Sequence, residues 1–224
     1  MSGQGDLDQL YRHRFSEAEA RSKLAVWAEI VAFLGPWLPS GAVVLDIACD
    51  EGYFIRNVRG AERWATDIRD VSAALGDDVH FVQVNGLDLA SAVPERHFDV
   101  AFMSNYLEHL PSAEAVVAQL RQVHHVLKPT GRMIVLQPNI RFVGGAYWDF
   151  LDHKVPLTER SLAEAAETAG FEIERMIPRL LPYTTKSRLP QHPALVRAYL
   201  RFPPAWRVLG KQTLLVARAS TAGA

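Results

Sequence analysis

The sequence contains a single cysteine and no long hydrophobic run. Cys49 stands alone among 224 residues, which excludes a disulfide framework and favours a reducing, cytoplasmic compartment. No stretch of about 18 apolar residues occurs, so no transmembrane helix is expected, and the N-terminus lacks the basic and apolar regions of a secretory signal. The composition is that of an ordinary globular protein, 49% hydrophobic and 22% charged. The chain is long enough for a single domain, which we expect over residues 1–224.

Acidic residues are absent from the end of the chain. From Arg175 onward there are nine Lys and Arg but no Asp or Glu, so all 25 acidic residues and the other 15 basic residues precede this position. Two explanations stay open: the basic segment packs against an acidic body, or it faces an anionic substrate.

Hydrophobic residues alternate between the spacing of strands and that of helices. This alternation predicts an α/β fold, a Rossmann-like, doubly wound, mostly parallel seven-stranded sheet with helices on both faces. A helical cap over 1–39 and a helical insertion over 181–209, before the last strand, complete the predicted domain. The predicted strands are 42–47, 62–67, 79–84, 98–104, 132–137, 171–178 and 212–219, and helices are expected at 5–15, 17–34, after Ser112 and at 158–169.

The turn after the first predicted strand reads D-x-A-x-D-x-G from Asp46 to Gly52, which is not the G-x-G-x-x-G of dinucleotide-binding proteins. Ala48 fits such a turn if its φ stays negative, and Asp50 is a residue that enters the left-handed region readily. Asp67 ends the next strand 21 residues after Asp46, the spacing at which a carboxylate meets ribose hydroxyls. The ligand is therefore predicted to carry a ribose, and no feature indicates a pyrophosphate.

Five fragments, in order over roughly 40–220, resemble class I S-adenosylmethionine (SAM)-dependent methyltransferases that act on small molecules. The fragments are "VVLDIACDEG", "ATDI", "FDVAFMSNYLEHL", "LKPTGRMIVLQPN" and "AGFEI". The stretches "YWDFLDHKVPLTERSLAEAAETAGF", "LPYTTKSRLP" and "LGKQTLLVARA" also resemble a subgroup of bacterial biosynthetic methyltransferases. The resemblance implies SAM as cofactor, S-adenosylhomocysteine as its product, and a small-molecule acceptor.

The resemblance also implies a cofactor pocket. Asp46 would orient the first loop near the methionine amino group, and Asp67 would accept both ribose hydroxyls. Asp50 is expected to point toward the positive end of the methionine portion or into solvent. The other implied residues are Ala48 and Gly52 at the amino-acid end, Ile68, Asn85, Gly86 and Leu87 around adenine, Ser104, Asn105 and Tyr106 beneath the sulfonium, and Arg14 toward the SAM carboxylate.

Candidate catalytic residues follow the fourth and fifth strands. His153 is the preferred general base, with Asp149 beside it, and His109 is either a base or a structural residue at the start of a helix. Glu108, His109, Asp152 and His153 lack the spacing of an established metal site, so no metal is predicted. The predicted acceptor contacts are Tyr147, Trp148, Asp152, Tyr183, Lys186 and Arg188, of which the last two and Tyr183 would meet an anionic group.

The sequence therefore predicts transfer of a methyl group to an oxygen or nitrogen of a small biosynthetic intermediate, such as a sugar-bearing or anionic one. Two alternatives stay open: a methyltransferase-fold enzyme of another class, such as a cyclase, and a non-catalytic partner protein. Nucleic acid is not an expected partner, because prolines interrupt the basic segment and no base-reading motif follows the fourth strand. The expected state is a monomer or a homodimer.

Overall fold

Seven strands form one sheet in a computed structural model that describes residues 17–60, 62–183 and 192–220. The strand order is β3-β2-β1-β4-β5-β7-β6; β1 to β5 run parallel, and β7 is antiparallel to both β5 and β6. This arrangement confirms the predicted seven-stranded, mostly parallel sheet. The strands are β1 Val43–Ile47, β2 Glu62–Asp67, β3 His80–Gln83, β4 Phe98–Ser104, β5 Leu127–Pro138, β6 Phe171–Ile177 and β7 Gln212–Ala219.

Helices cover both faces of the sheet, as predicted. One face packs against α4 and α6, and the other against α1 and α7. Successive strand residues point to opposite faces, so Leu45 joins the first hydrophobic cluster and Val44 the second. The helices are α1 Glu17–Leu34, α2 Ser72–Leu75, α3 Leu89–Ala92, α4 Ala113–Val126, α5 Ile140–Val143, α6 Glu159–Thr168, α7 Pro193–Leu200 and α8 Pro203–Leu209.

Side chains define where the two longer helices after β4 begin. The hydroxyl of Ser112 accepts a hydrogen bond from the N–H of Ala115 at 3.2 Å and caps α4, as predicted. Thr158 and Ser161 form a reciprocal capping box at the start of α6. Each cap satisfies backbone donors that the first helical turn leaves without partners.

The fifth strand begins earlier than predicted. Its first residue is Leu127 rather than residue 132, because the segment 128–131 continues in extended form after α4 instead of only ending it. The pairing with β4 shifts there, from Phe98 with Leu127 to Val100 with Arg132. A Cβ on Gly131 would lie 3.0 Å from the carbonyl oxygen of Phe98, so this irregular crossing has room only for glycine. The predicted helix at 5–15 lies outside the described residues.

The insertion before the last strand packs on the body through α7 and α8. Tyr199 donates its hydroxyl proton to the carbonyl of Leu180 at 2.6 Å, and Trp206 donates to the carbonyl of Tyr199 at 2.9 Å. Trp206 also lies edge-on to Phe33 of α1, with ring centroids 5.8 Å apart. Arg197 forms an ion pair with Glu29 at 2.6 Å, so α7, at least, fits the explanation in which the basic segment packs against the acidic body. Among the described residues, no helix is both long and apolar enough to cross a membrane.

Candidate active site

Parallel strands bring three predicted site residues to one edge of the sheet. Asp46 lies near the end of β1, Asp67 is the last residue of β2, and Ser104 is the last residue of β4. The strands β2, β1 and β4 are neighbours in the sheet, and ligands of such folds bind beyond the carboxyl ends of the strands. A bound ligand is therefore expected at this edge of the sheet.

The turn after β1 adopts left-handed backbone at three positions. The φ angles are 55° at Ala48, 51° at Asp50 and 69° at Gly52. The condition under which Ala48 would fit without cost, a negative φ, is not met, and because a Cβ is disfavoured in this region the alanine carries strain. Asp50 behaves as expected. A Cβ on Gly52 would collide with the Leu75 side chain, so glycine is required at that position.

Asp67 and Asp50 share one arginine. The backbone N–H of Asp50 donates to Asp67 Oδ2 at 3.0 Å, and Arg69 donates to Asp67 Oδ1 through its backbone N–H at 2.9 Å and through Nε at 3.2 Å. Arg69 Nη2 also contacts Asp50 Oδ1 at 2.8 Å. Asp50 therefore pairs with Arg69 beside the predicted ribose acid, while 39% of its side chain stays exposed; its orientation toward a bound cofactor stays a prediction. Sequence reasoning missed Arg69, although its place two residues after the predicted ribose acid could have suggested it.

Asp46 is buried and incompletely bonded. Its Oδ2 has no hydrogen-bond partner among the residues that the structure describes. Burial, reinforced by the nearby charges of Asp67 and Asp50, raises the pKa of Asp46 well above its usual value, against a smaller opposing effect of a backbone hydrogen bond from Ile55. An unpartnered buried oxygen at this edge is a candidate contact for a bound ligand.

The predicted adenine residues lie after β2 and β3. Ile68 exposes 55% of its surface, as a residue that covers a flat aromatic ligand would in the free protein. Asn85 Oδ1 accepts from the N–H of Leu87 at 3.1 Å and so caps the short 3-10 turn Gly86–Asp88. A Cβ on Gly86 would collide with the hydroxyl of Tyr106. The segments that follow β3 and β4 therefore lie in direct contact at this glycine.

The segment after β4 reverses sharply at Asn105. Its φ is 49°, its N–H donates to the carbonyl of Leu136 at 2.9 Å, and its side-chain amide donates to Ser104 Oγ at 3.0 Å. Tyr106 donates to Gln119 Oε1 at 2.9 Å. Ser104 and Asn105 therefore lie at the edge that carries Asp46 and Asp67, where the resemblance expects the sulfonium.

A second polar group follows the ends of β4 and β5. One ligand atom from each of Glu108, His109 and His153 lies within 4.8 Å of the others. Glu108 is 1% exposed, and its Oε2 accepts from Gln137 Nε2 at 2.9 Å. Burial raises the pKa of the Glu108 carboxyl. Sequence reasoning considered Glu108 only as a weak metal ligand and missed Gln137, whose polar side chain in an otherwise apolar strand was the available signal.

His153 is held by its surroundings. Its Nδ1 lies 2.8 Å from the carbonyl oxygen of Tyr147, and its ring stacks on Phe150 with centroids 5.1 Å apart. Burial, together with the neighbouring His109, lowers the pKa of His153, which favours a neutral imidazole. Tyr147 itself is fully buried and donates its hydroxyl proton to the carbonyl of Val155. Tyr147 therefore packs against the ring of His153 from the interior. Because it is fully buried, its predicted role as a direct contact of the acceptor is wrong.

Of the other predicted acceptor residues, Asp152 contacts this group and Tyr183 reaches it through Phe150. Asp152 Oδ2 lies 3.4 Å from His109 Nδ1, Trp148 is 55% exposed, and Asp149 is exposed at the end of a 3-10 turn. Tyr183 meets Phe150 edge-on, with ring centroids 6.1 Å apart. Arg14, Lys186 and Arg188 lie outside the described residues.

An open cavity of about 680 Å³ lies elsewhere, between α1 and the amino-terminal ends of β1 and β2. Its lining includes Val31, Leu38, Arg56 and Arg63. Because ligands of doubly wound sheets bind at the opposite edge, we place the candidate site at the carboxyl ends of the strands.

Comparison with known proteins identifies the family and the fold of the chain. Residues 16–175 match a family model described as a methyltransferase domain. A crystal structure of a SAM-dependent methyltransferase from Mesorhizobium loti is 20% identical, with a TM-score of 0.60 over 85% of this chain and 97% of that one. The 1,6-didemethyltoxoflavin-N1-methyltransferase of Burkholderia thailandensis, solved with its substrate and S-adenosylhomocysteine, is 22% identical, with a TM-score of 0.58 over 91% and 81%.

A third similar structure is described as the [4+2]-cyclase SpnF, 21% identical with a TM-score of 0.59 over 86% of this chain and 80% of that one. A search of curated proteins gives no significant match. The family match covers most of the chain, and the sheet has the seven-stranded order described above. The chain therefore belongs to the methyltransferase domain family and has the fold of the class I methyltransferases, whose cofactor is SAM.

Proposed function

We propose that this protein transfers the methyl group of SAM to an oxygen or nitrogen atom of a small biosynthetic acceptor, with a sugar-bearing or anionic acceptor as the favoured class. One observation carries the proposal: two groups of side chains follow strands that end at the same edge of the sheet. The first group consists of carboxylates, which we assign to the cofactor, and the second consists of imidazoles, which we assign to the acceptor. Asp46 and Asp67 belong to the first group, and His109 and His153 to the second.

The charges of the first group suit SAM. Among the described residues, the carboxylates of Asp50 and Asp67 both pair with the guanidinium of Arg69, and the buried carboxyl of Asp46 lies close to the two aspartates. The excess negative charge favours a ligand with a positive sulfonium and ammonium group and disfavours a pyrophosphate. We assign Asp67 to the ribose hydroxyls, Asp46 Oδ2 to the amino-acid end, and exposed Ile68 to the adenine face.

Bound SAM supplies a methyl group on a sulfonium, which is a good leaving group, so the protein contributes mainly position. The chain must also handle the proton of a hydroxyl or amine acceptor. We assign acceptor activation to His109 and His153, with Asp152 orienting His109. Trp148 and Tyr183 border this group, and we assign them, with Asp149, to the acceptor side.

Asp67→Ala tests the cofactor assignment. Loss of charge-assisted hydrogen bonds worth about 1.5–3 kcal/mol should weaken binding of S-adenosylhomocysteine by about one to two decades. Calorimetry measures this directly, and Asp70→Ala is the matched control, because Asp70 is an exposed carboxylate whose hydrogen bonds, within the described part of the chain, go to Ser72 of its own turn. Wild-type affinity in a folded Asp67→Ala protein would contradict the assignment.

A second candidate function is a reaction other than methylation on the same fold. Left-handed Ala48 and the pairing of Arg69 with Asp67 are the observations that favour it, because both make the cofactor side less open than a glycine-rich turn would. Turnover of methyl-labelled SAM with candidate acceptors separates the two: label in the acceptor supports transfer, and SAM that binds but is never consumed supports the second candidate. A cytoplasmic location and a monomeric or homodimeric state stay predictions.

A further inference from the structure

We propose that Glu108, His109 and His153 bind a divalent transition-metal cation on the acceptor side of the site. The sequence spacing alone predicts no metal, because the residues come from two distant segments. Folding brings one ligand atom of each to within 4.8 Å of the others. Glu108 and His109 belong to the 3-10 turn Leu107–His109 after β4, and His153 follows β5.

In both imidazoles Nδ1 faces a carbonyl oxygen, so Nε2 is the nitrogen available to a metal. A carbonyl oxygen only accepts, so the nitrogen that faces it carries the proton. His153 Nδ1 faces the carbonyl of Tyr147 at 2.8 Å, and His109 Nδ1 faces the carbonyl of Asp152 at 3.2 Å and its Oδ2 at 3.4 Å. In a neutral imidazole held in this way, Nε2 is the nitrogen with the lone pair that a metal can take. Metal-binding histidines are held in this way, with the second ring nitrogen on a carbonyl or carboxylate.

Glu108 completes the ligand set. Its carboxylate has one oxygen held by Gln137 Nε2 at 2.9 Å, while the other, Oε1, lies 3.9 Å from His109 Nε2. The backbone carbonyl of Glu108 accepts from the N–H groups of Lys154 at 2.8 Å and Val155 at 3.1 Å, which ties the loop that carries His153 to this turn. A carboxylate this deeply buried is stable as an anion only beside a cation, and a divalent metal would supply it.

The donor set indicates the kind of metal. Two imidazole nitrogens and one carboxylate oxygen suit Zn²⁺, Fe²⁺, Co²⁺ or Ni²⁺, whereas Mg²⁺ and Ca²⁺ prefer all-oxygen sites. Ligand atoms about 2.1 Å from a tetrahedral Zn²⁺ lie about 3.4 Å from one another, so the side chains must close somewhat from the present spacing. Three protein ligands leave at least one position open.

The role of the cation rests on the proposed function, although its binding does not. An acceptor hydroxyl in the open position would lose its proton to water more readily, because a bound cation lowers the pKa of a coordinated oxygen. The O–CH₃ bond then forms as the S–CH₃ bond breaks, and the sulfur keeps the electron pair as a thioether. His153 and His109 would act as ligands in this arrangement and not as free bases.

Titration of the chelator-treated, tag-free chain with Co²⁺ alone tests the site, with calorimetry and visible absorption as readouts. We expect one Co²⁺ per chain. Glu108→Gln, which keeps an oxygen for Gln137, and His153→Gln should each weaken binding by about 100-fold or more, beyond the roughly 10–100-fold that loss of an outer hydrogen-bond partner costs. His125→Gln is the control: it removes an exposed histidine that faces Glu95 and should bind Co²⁺ like the wild type.

The proposal is overturned if the wild type binds no Co²⁺, or if the variants, shown to be folded by circular dichroism, bind it as the wild type does. S-adenosylhomocysteine affinity measured on the same samples keeps this failure apart from a failure of the proposed function. Asp67→Ala should weaken S-adenosylhomocysteine but not Co²⁺, and Glu108→Gln should do the reverse.

Discussion

Asp46 places a carboxyl group in the interior at the end of β1, where one oxygen has no hydrogen-bond partner among the described residues. Its pKa in the folded protein lies well above the ordinary value of 3.8, so the folded state keeps this proton to a higher pH than the unfolded chain does. Stability from this group is therefore present at low pH and falls as the pH rises past the unfolded value.

Asp46→Asn removes this pH-dependent cost. We expect the melting temperature of the variant to equal that of the wild type near pH 4 and to exceed it at higher pH, up to pH 8, because ionisation of the buried carboxyl destabilises the folded wild type. Thermal unfolding in the absence of cofactor, followed across this pH range, checks the prediction. A constant difference between the two proteins would show that Asp46 keeps its ordinary pKa.

Ala48 carries strain that a glycine would not. At a φ of 55°, a side chain costs roughly 1–2 kcal/mol, and the greater freedom of glycine in the unfolded chain returns about 0.4–1 kcal/mol of that. Ala48→Gly should therefore stabilise the protein by up to about 1 kcal/mol in urea unfolding. Ala92→Gly at the end of α3 is the control, because the φ of Ala92 is not positive. This substitution should destabilise the protein, in contrast to Ala48→Gly.

Some of these residue-level features could be predicted from the sequence and others could not. Asp67 and Gly52 follow from local pattern, since an acid that ends a second strand and a glycine in a tight turn have few other uses. The φ of Ala48 and the pairing of Asp50 with Arg69 depend on how two separate turns meet. That arrangement is a tertiary property, which residue type alone does not fix.

Tyr147 is a buried anchor of the loop after β5, which carries candidate acceptor residues. Tyr147→Phe should lower the free energy of unfolding by about 1–2 kcal/mol, because the buried carbonyl of Val155 loses its donor. Hydrogen exchange should also rise across 147–155, which carries His153. Tyr199→Phe is the matched control: it loses a similar bond to the carbonyl of Leu180 and should leave exchange at 147–155 unchanged.

At the level of elements, periodicity predicted most of the fold. The bounds of β2, β4 and β7 agree with the predicted strands 62–67, 98–104 and 212–219. The start of β5 differs, since "KPTG" is typical of a turn in isolation, whereas here it forms an irregularity inside the strand, between the pairs Phe98–Leu127 and Val100–Arg132. The sequence names Glu108 and His153 together only as residues that follow β4 and β5. Their distance could not be predicted, because 45 positions separate them and the neighbouring ends of β4 and β5 bring them together.

On the scale of the whole molecule, the helical insertion and α1 cover the same face of the sheet. Trp206→Ala should destabilise the protein by about 2 kcal/mol, because it removes a half-buried ring that packs against Phe33 and bonds to Tyr199. Val208→Ala, on the same helix but 73% exposed, should change stability by no more than about 0.5 kcal/mol. Equal effects in urea unfolding would show that α8 does not dock through Trp206.

The place of β7 has a consequence for synthesis on the ribosome. Among the described strands this one is the last along the chain, yet it lies between β5 and β6, and β6 has no other neighbour in the described sheet. While the chain is growing, β6 leaves the exit tunnel without a partner, and it can join the sheet only after residues 212–219 have emerged and inserted beside β5. Because long-range pairing of this kind is slow and exposes unpaired edges, we expect nascent chains halted before residue 212 to bind chaperones and to be cleaved by protease within β6, while β1 to β5 are already protected.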